Sequence, residues 1–175
     1  MSIMKFEWGL TYMGDFVHRV TSALLGSEML PASARMRIMR GLGFDIDKEA
    51  CIWAGASLRS KKISIGSGVF INVGFFHDGF DYLRIGNNVR IGQFVRVLTA
   101  THDIGPPEQR GLIEVVGKPV HIKSGTWVGA GVVILPGVTV AEGCVLAANS
   151  VVVASTEANG LYAGNPAKLV RELPH

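Results

Sequence analysis

A parallel β-solenoid is the architecture this sequence predicts, on two observations. Aliphatic residues stand six apart without a gap at Ile122, Val128, Ile134, Val140, Leu146 and Val152, and each is followed four positions later by one of Thr126, Val132, Val138, Cys144, Ser150 and Thr156. The same register returns upstream at Ile85, Ile91 and Val97, at Ile65 and Ile71, and at Ile46, Ile52 and Leu58. A six-residue unit with two inward positions is a short strand plus a corner, and it cannot bury its apolar side unless neighbouring units stack on it. Roughly fourteen units fit, close to five coils at three units per turn.

Composition agrees with a well-packed chain. Of 175 residues, 48% are hydrophobic and 18% charged, which excludes intrinsic disorder. The length is that of one domain, with a core that needs neither disulfides nor metal. Glycine, at 22 residues, is abundant but lacks a period of three, so collagen is excluded. A net charge of +3 and a pI near 9.0 argue against a nucleic-acid partner and suit an anionic small ligand. Cys51 and Cys144 stand in no metal or redox spacing, so the expected compartment is a reducing cytoplasm. The N-terminus lacks the order of a signal peptide. The 18 uncharged residues from Ser124 to Ala141 are broken by Gly125, Gly129, Gly131, Pro136 and Gly137, and read as buried sheet rather than a membrane span.

Residues 1–45 are expected to form a helical cap. Asp15 to Leu25 and Ala32 to Leu42 carry helical spacing, with Phe16, Val20, Ala23 and Leu24 on one stripe and Gly26, Pro31 and Gly41 as punctuation. Arg35, Arg37 and Arg40 are expected on a solvated face. The solenoid follows at 46–157, interrupted by one extra residue before Ile65, an insertion around Phe75 to Arg84 and a long excursion over 102–119. Residues 158–175 form a capping tail, since a solenoid needs closed ends.

The units I65-G-S-G-V, I85-G-N-N-V, I91-G-Q-F-V and V128-G-A-G-V resemble those of the hexapeptide-repeat acyltransferases. The likeness runs from about Ile46 to Arg171. It implies an all-β, left-handed parallel β-helix of triangular cross-section; the hand comes from the resemblance, since general crossover statistics favour the opposite one.

A repeat has no intrinsic activity, so chemistry is expected where the pattern breaks. The sharpest break is L98-T-A-T-H102, where a coil gives way to the excursion. A histidine at a rigid edge beside a movable loop can be an oriented general base. The string T99-A-T-H102, a loop containing Arg110 and Glu114, and I122-K-S-G-T-W-V-G129 resemble the galactoside, maltoside and nodulation-factor acetyltransferase branch. In that branch the matching histidine deprotonates an acceptor hydroxyl as it attacks acetyl-CoA, which assigns His102. An alcohol is a weak nucleophile near neutrality, and imidazole titrates close to that pH.

The same resemblance implies the remaining roles. Glu114 would orient the imidazole through its carboxylate, unless it is a solvated loop residue. Asn72 and Asp78 would bind the acceptor, though an Asn at a repeat corner can instead serve its own backbone. Trp127 would border the transfer channel or simply pack. Backbone N–H groups near Gly129 and Ala130 would hold the oxyanion, and Ala130 and Ala148 would contact the pantetheine arm. Lys168 and Arg171, in A163-G-N-P-A-K168-L-V-R171, would meet the CoA phosphates, unless they are solvated surface cations. The aromatic residues Phe75, Phe76, Phe80 and Tyr82 depart from a plain galactoside site.

His18, His121 and His175 lack companions at metal-ligand spacing, His77 beside Asp78 lacks a third ligand, and no metal is expected. Cys144 fills an inward slot and reads as core rather than nucleophile. There is no Walker loop, dinucleotide fingerprint or Gly-x-Ser-x-Gly elbow. The reading is an acetyl-CoA-dependent O-acetyltransferase acting on a sugar hydroxyl by direct transfer, with the homotrimer and between-subunit sites that the resemblance implies. The rivals are N-acetylation of an amino sugar nucleotide, O-acetylation of an antibiotic or other small alcohol, and a non-enzymatic scaffold.

Overall fold

In the structure, a computed structural model, residue 20 and residues 22–174 are described. Phe16, His18, His175 and the start of the first expected helix lie outside them.

Five coils stack in parallel, each giving one short strand to each of three sheets. The first coil holds β1 (Asp45–Ile46), β2 (Cys51–Ile52) and β3 (Ser57–Leu58). The second holds β4 (Ile63–Ile65), β5 (Phe70–Ile71) and β6 (Phe76–His77), and the third β7 (Leu83–Ile85), β8 (Arg90–Ile91) and β9 (Arg96–Val97). A hairpin of β10 (Ala100–Ile104) and β11 (Gly111–Gly117) then leaves the stack. The fourth coil resumes with β12 (Val120–Ile122), β13 (Trp127–Val128) and β14 (Val133–Ile134), and the fifth adds β15 (Thr139–Val140), β16 (Val145–Leu146) and β17 (Val151–Val152). The tail folds back as β18 (Gly160–Gly164) and β19 (Ala167–Glu172), which extend the second sheet past β16. The first sheet is thus β1-β4-β7-β12-β15, the second β2-β5-β8-β13-β16-β18-β19, and the third β3-β6-β9-β14-β17.

The six-residue rhythm produces this because successive coils bond in register: Ile122 pairs with Val140, Val128 with Leu146, and Ile134 with Val152. Every residue of the two periodic sets is buried, including the polar Thr126 and Ser150. Cys144 lies in this core, where its thiol meets Glu157 O at 3.0 Å. The corners need left-handed backbone at set places; Gly131 (φ 70°) and Asn149 (φ 60°), eighteen residues and one coil apart, both adopt it. Among the described residues no helix is long and apolar enough to cross a membrane.

Three expectations are corrected. The excursion, expected as a loop over 102–119, is an antiparallel hairpin rooted at Ala100 and Gly117. The interruption near Phe75 is narrower than expected: Phe75 and His77 keep the inward register, both fully buried, and the two surplus residues fall between His77 and Ile85. His77 therefore fills an aliphatic slot with neither ring nitrogen hydrogen-bonded, and burial pushes its pKa down so that it is held neutral.

The third correction concerns the cap. The second expected helix forms as α1 (Ala32–Gly41), but Arg35 is 2% exposed rather than solvated. Its Nε donates to Leu25 O (2.6 Å), Nη1 to Ile52 O (3.1 Å), and Nη2 to Ser27 O (2.7 Å) and Leu30 O (2.9 Å). One planar guanidinium thus satisfies carbonyls left over by the helical turn at residues 22–26, by the inter-helix loop and by the first coil. Leu25 is the buried residue of that turn, while Val20, Ala23 and Leu24 of the expected stripe are exposed. Arg35→Met should lower stability by about 2–4 kcal/mol, because it leaves the buried Leu25 and Ile52 carbonyls unpaired. Arg35→Lys should recover only part of that, since an ammonium cannot span the same fork. Urea-unfolding midpoints equal to wild type in both variants would show that the cap is not tied down through this side chain.

Candidate functional site

The corner between the third sheet and the first carries the hairpin and its anchor. In the second coil this corner is the loop after β6, and in the third coil it is Leu98 to Ala100. Asp78 reaches from one to the other. Its Oδ2 accepts from the amides of Thr99 (2.8 Å) and Ala100 (3.0 Å), and its Oδ1 accepts from the Thr99 hydroxyl and from Phe80 N–H (3.3 Å). Thr99, fully buried, in turn accepts at Oγ1 from Asp81 N–H (2.9 Å) and at its carbonyl from Lys118 N–H (2.9 Å). Both legs of the hairpin are therefore pinned at one point. Burial by itself pushes the Asp78 carboxyl up, but the hydrogen bonds from Thr99, Ala100 and Phe80 outweigh it and hold the group below the ordinary carboxylate value. Asp78, expected to meet an acceptor, has both oxygens engaged by the chain itself, where it positions the hairpin.

Two residues beyond this anchor is His102, exposed on β10 and opposite Val115. Its Nδ1 lies 3.1 Å from the main-chain oxygen of Glu114. A carbonyl only accepts, so Nδ1 carries the proton and Nε2 presents its lone pair outward, the tautomer a general base requires. The expected partner was the Glu114 carboxylate. The main chain holds the ring instead, because the hairpin register brings that carbonyl alongside the imidazole.

A second set of residues gathers at a different corner, between the second sheet and the third. A groove of about 390 Å³ runs there, lined by Gly92, Gln93, Trp127, Gly129, Ala130 and Ala148 among others. Its floor is close-packed: a Cβ on Gly129 would stand 2.6 Å from Ala148 N, and one on Gly92 would stand 2.7 Å from Ala130 N. Trp127 is 59% exposed, so core packing does not explain it. The Gly129 N–H is taken by Leu146 O (2.8 Å), whereas the Ala130 N–H has no acceptor among the described residues, which leaves Ala130 as the free donor of the two expected. Asn72 sits one coil below Gly92 in the same column, its Oδ1 accepting from Val73 N–H (2.8 Å). Past Ala147 the column continues into the tail, where Lys168 pairs with Ala163 and Arg171 with Leu161, both cations exposed.

The expected residues thus fall into two groups, Asp78, His102 and Glu114 at one corner, and Asn72, Trp127, Gly129, Ala130 and Ala148 leading to Lys168 and Arg171 at another. Sequence reasoning missed Thr99, Asp81, Gln93 and Gly117. Thr99 stood inside the string that singled out His102, Gln93 inside the unit I91-G-Q-F-V, and Asp81 inside the insertion around Phe75 to Arg84; Gly117 carries no pattern, and only the third dimension brings it in. No group of three or more potential metal ligands occurs among the described residues.

Residues 119–154 match the family model of the bacterial transferase hexapeptide, six repeats. A galactoside O-acetyltransferase from Lactococcus lactis is 31% identical over 119 residues, which cover 67% of this chain and 56% of that protein. The chain spans about half the length of the sequence relatives it matches, between 44% and 59% for the first three. A hexapeptide-repeat acetyltransferase from Vibrio cholerae, solved in complex with acetyl-CoA, superposes with a TM-score of 0.80 at 29% identity, over 97% of this chain and 93% of that one. A maltose O-acetyltransferase from Clostridium difficile gives 0.81 at 25% identity, over 95% and 90%. With its repeat, its stacked coils and these likenesses taken together, the chain belongs to the hexapeptide-repeat transferase family.

Proposed function

We propose that this protein is an acetyl-CoA-dependent O-acetyltransferase that moves an acetyl group directly to a hydroxyl of a sugar or saccharide precursor. The observation that carries the reading is the His102 tautomer, with Nδ1 tied to Glu114 O and Nε2 left open. Nε2 takes the proton of the acceptor hydroxyl as its oxygen bonds to the thioester carbonyl carbon. Ala130 N–H is the backbone donor available to the resulting oxyanion. On collapse the C–S bond breaks, and the imidazolium returns its proton to the departing sulfur, giving the acetyl ester and free CoA. Lys168 and Arg171 supply the cations for the nucleotide phosphates, at the end of a groove whose small residues admit a narrow arm. The V. cholerae neighbour holds acetyl-CoA and the L. lactis relative is a galactoside acetyltransferase, which supports both donor and acceptor class.

The groove and the histidine occupy different corners, which supports a reading in which a second copy brings them together. Three copies packed about an axis would set one copy's hairpin beside its neighbour's groove, and this supports a homotrimer with sites between subunits. The two unpaired cysteines fit a reducing cytoplasm.

His102→Ala should reduce turnover about 10²–10⁴-fold, whereas Glu114→Gln, which keeps the main-chain oxygen, should stay within about twofold of wild type. A loss in Glu114→Gln as large as that in His102→Ala would restore the carboxylate as the orienting group.

Asp78→Asn should lower kcat about tenfold or more, leave the KM for acetyl-CoA unchanged, and expose the Thr99 and Ala100 amides to faster hydrogen exchange. Because the folded-state pKa of Asp78 is depressed, its contribution to stability is complete above the ordinary value of about 3.9 and is lost as pH falls through the lower folded value. The acid-unfolding midpoint should accordingly shift to higher pH in the variant.

Saturating acetyl-CoA at about a hundred times its Kd should stabilise the native protein by roughly 2.7 kcal/mol, read as a raised Tm. Lys168→Ala/Arg171→Ala should shrink that shift. Absence of any shift in folded wild-type protein would remove the donor assignment.

A further inference from the structure

We propose that His77 is a proton-operated positioning residue: neutral, it lets Asp78 and Thr99 clamp the hairpin that carries His102, and protonated, it opens that clamp and stops acetyl transfer. The opening needs only the chain itself, and the loss of transfer rests on His102 being the base of the proposed reaction.

The six-residue rhythm sets the place of the ring. His77 stands in the interior column of the third sheet, between Leu58 and Val97. It is fully buried, and neither Nδ1 nor Nε2 has a hydrogen-bond partner. A branched aliphatic would fill this slot with no polar atom to satisfy, so the histidine carries a cost that packing does not require. The backbone is loosest beside it. Arg59 N–H reaches His77 O at 3.2 Å and Asp78 N–H reaches Val97 O at 3.4 Å, whereas the equivalent bonds to the carbonyls of the other inward residues run from 2.8 to 3.0 Å. The two longest bonds of this set therefore flank the imidazole, and one of them is made by the clamp residue Asp78.

Protonation turns both ring nitrogens into donors and places a full charge where nothing accepts it. Leu58 and Val97 are apolar, and the cations on the surrounding elements, Arg59, Lys62, Arg84 and Arg96, are all exposed. The anionic residues nearby are Asp78 and Asp81 of the loop after β6. The Asp78 carboxylate and the Asp81 main chain favour a charged ring, but with the clamp closed burial outweighs them and holds the His77 pKa below its ordinary value. Both are already committed. Asp78 accepts from the Thr99 and Ala100 amides, and Asp81 N–H donates to Thr99 Oγ1. These groups, or water, can satisfy an imidazolium only if the loop moves, and that loop is one half of the clamp. His102 follows Thr99 by three residues, so an open clamp frees the start of β10 and misplaces the base. Because the folded-state pKa of His77 is depressed, stability is complete above the ordinary value of about 6.5 and falls as pH drops below it, until the folded value is reached. Asp78 stays ionised across this range, since its own pKa is held below the carboxylate value.

The test follows amide hydrogen exchange in the full chain at about pH 7 and about pH 5, on the two sides of the ordinary histidine value. Corrected for the intrinsic pH dependence of exchange, protection of the Thr99, Ala100 and Lys118 amides should fall about tenfold or more at the lower pH, while the Lys123 and Ala147 amides, outside the clamp, stay unchanged. His77→Val, which restores an aliphatic to the column, should abolish that fall, and His77→Leu serves in its place if the valine variant does not fold. Transfer from acetyl-CoA to methyl β-galactoside, read as thiol release, should show an acid limb of log kcat/KM with a slope of about two in wild type, one proton on His102 and one on His77, and of about one in the variant. Equal clamp protection at both pH values in wild type, or a fall that persists in a folded variant, would overturn the latch and leave the transferase reading standing. A wild-type slope of about one would overturn its link to transfer. A clamp that responds as expected in a protein that binds no acetyl-CoA would overturn the transferase reading and leave the opening of the clamp standing.

Discussion

The solenoid depends on one constraint: a two-residue strand cannot hold its own apolar side chains out of water, and it is stable only with an in-register neighbour above and below. That requirement gives the fold its columns. Ile46, Ile65, Ile85, Ile122 and Val140 stack as one interior column because β1, β4, β7, β12 and β15 bond to one another in register. A residue added inside a strand would turn the inward set outward, whereas a residue added at a corner changes nothing below or above it. Insertions therefore survive only at corners. The hairpin and the two surplus residues before Ile85 both use the corner between the third sheet and the first.

Because those two departures share a corner on adjacent coils, they touch. The Asp78 carboxylate, the buried Thr99 and the Lys118 amide meet where the hairpin leaves the stack, so an element that exits the solenoid is held to it by charge-assisted hydrogen bonds. The coils supply rigidity, the clamp transmits it to the first residues of β10, and the Glu114 carbonyl fixes the ring two residues further on. Ile104 and Ile113, beyond the clamp, are largely exposed, so the order imposed at the base is not extended by packing to the tip within one copy.

The other corner is organised by size rather than by hydrogen bonds. Gly92 and Gly129 allow backbone to stack against backbone, and the resulting groove is shallow on the inside because nothing larger than a methyl group protrudes from Ala130 and Ala148. Trp127 rises as its wall, and the cations of β19 stand at its end because the tail adds its last two strands to that sheet alone. The groove and the imidazole of His102 thus stand at different corners, separated across the third sheet.

How much of this the sequence determined follows from the range of each interaction. The inward positions repeat at a fixed period, so the coil number, the buried sets and the core role of Cys144 were legible residue by residue. His102 drew notice as a histidine at a break in a strict pattern, but its expected role came from the resemblance to a known acetyltransferase branch and not from the break. His77 was legible in principle, since it lies six residues after Ile71, but its chemistry does not look like that of a core residue. What only the tertiary structure decided involves groups that meet across coils without periodicity. The burial of Arg35 depends on carbonyls from three separate segments; the engagement of Asp78 depends on amides 21 and 22 residues away; the choice of the Glu114 main chain over its carboxylate depends on hairpin register. The division of the expected site between two corners is of the same kind. Periodicity in a chain records which side chains face inward, whereas the partners of outward and polar groups are chosen by how the coils and their insertions are placed in space.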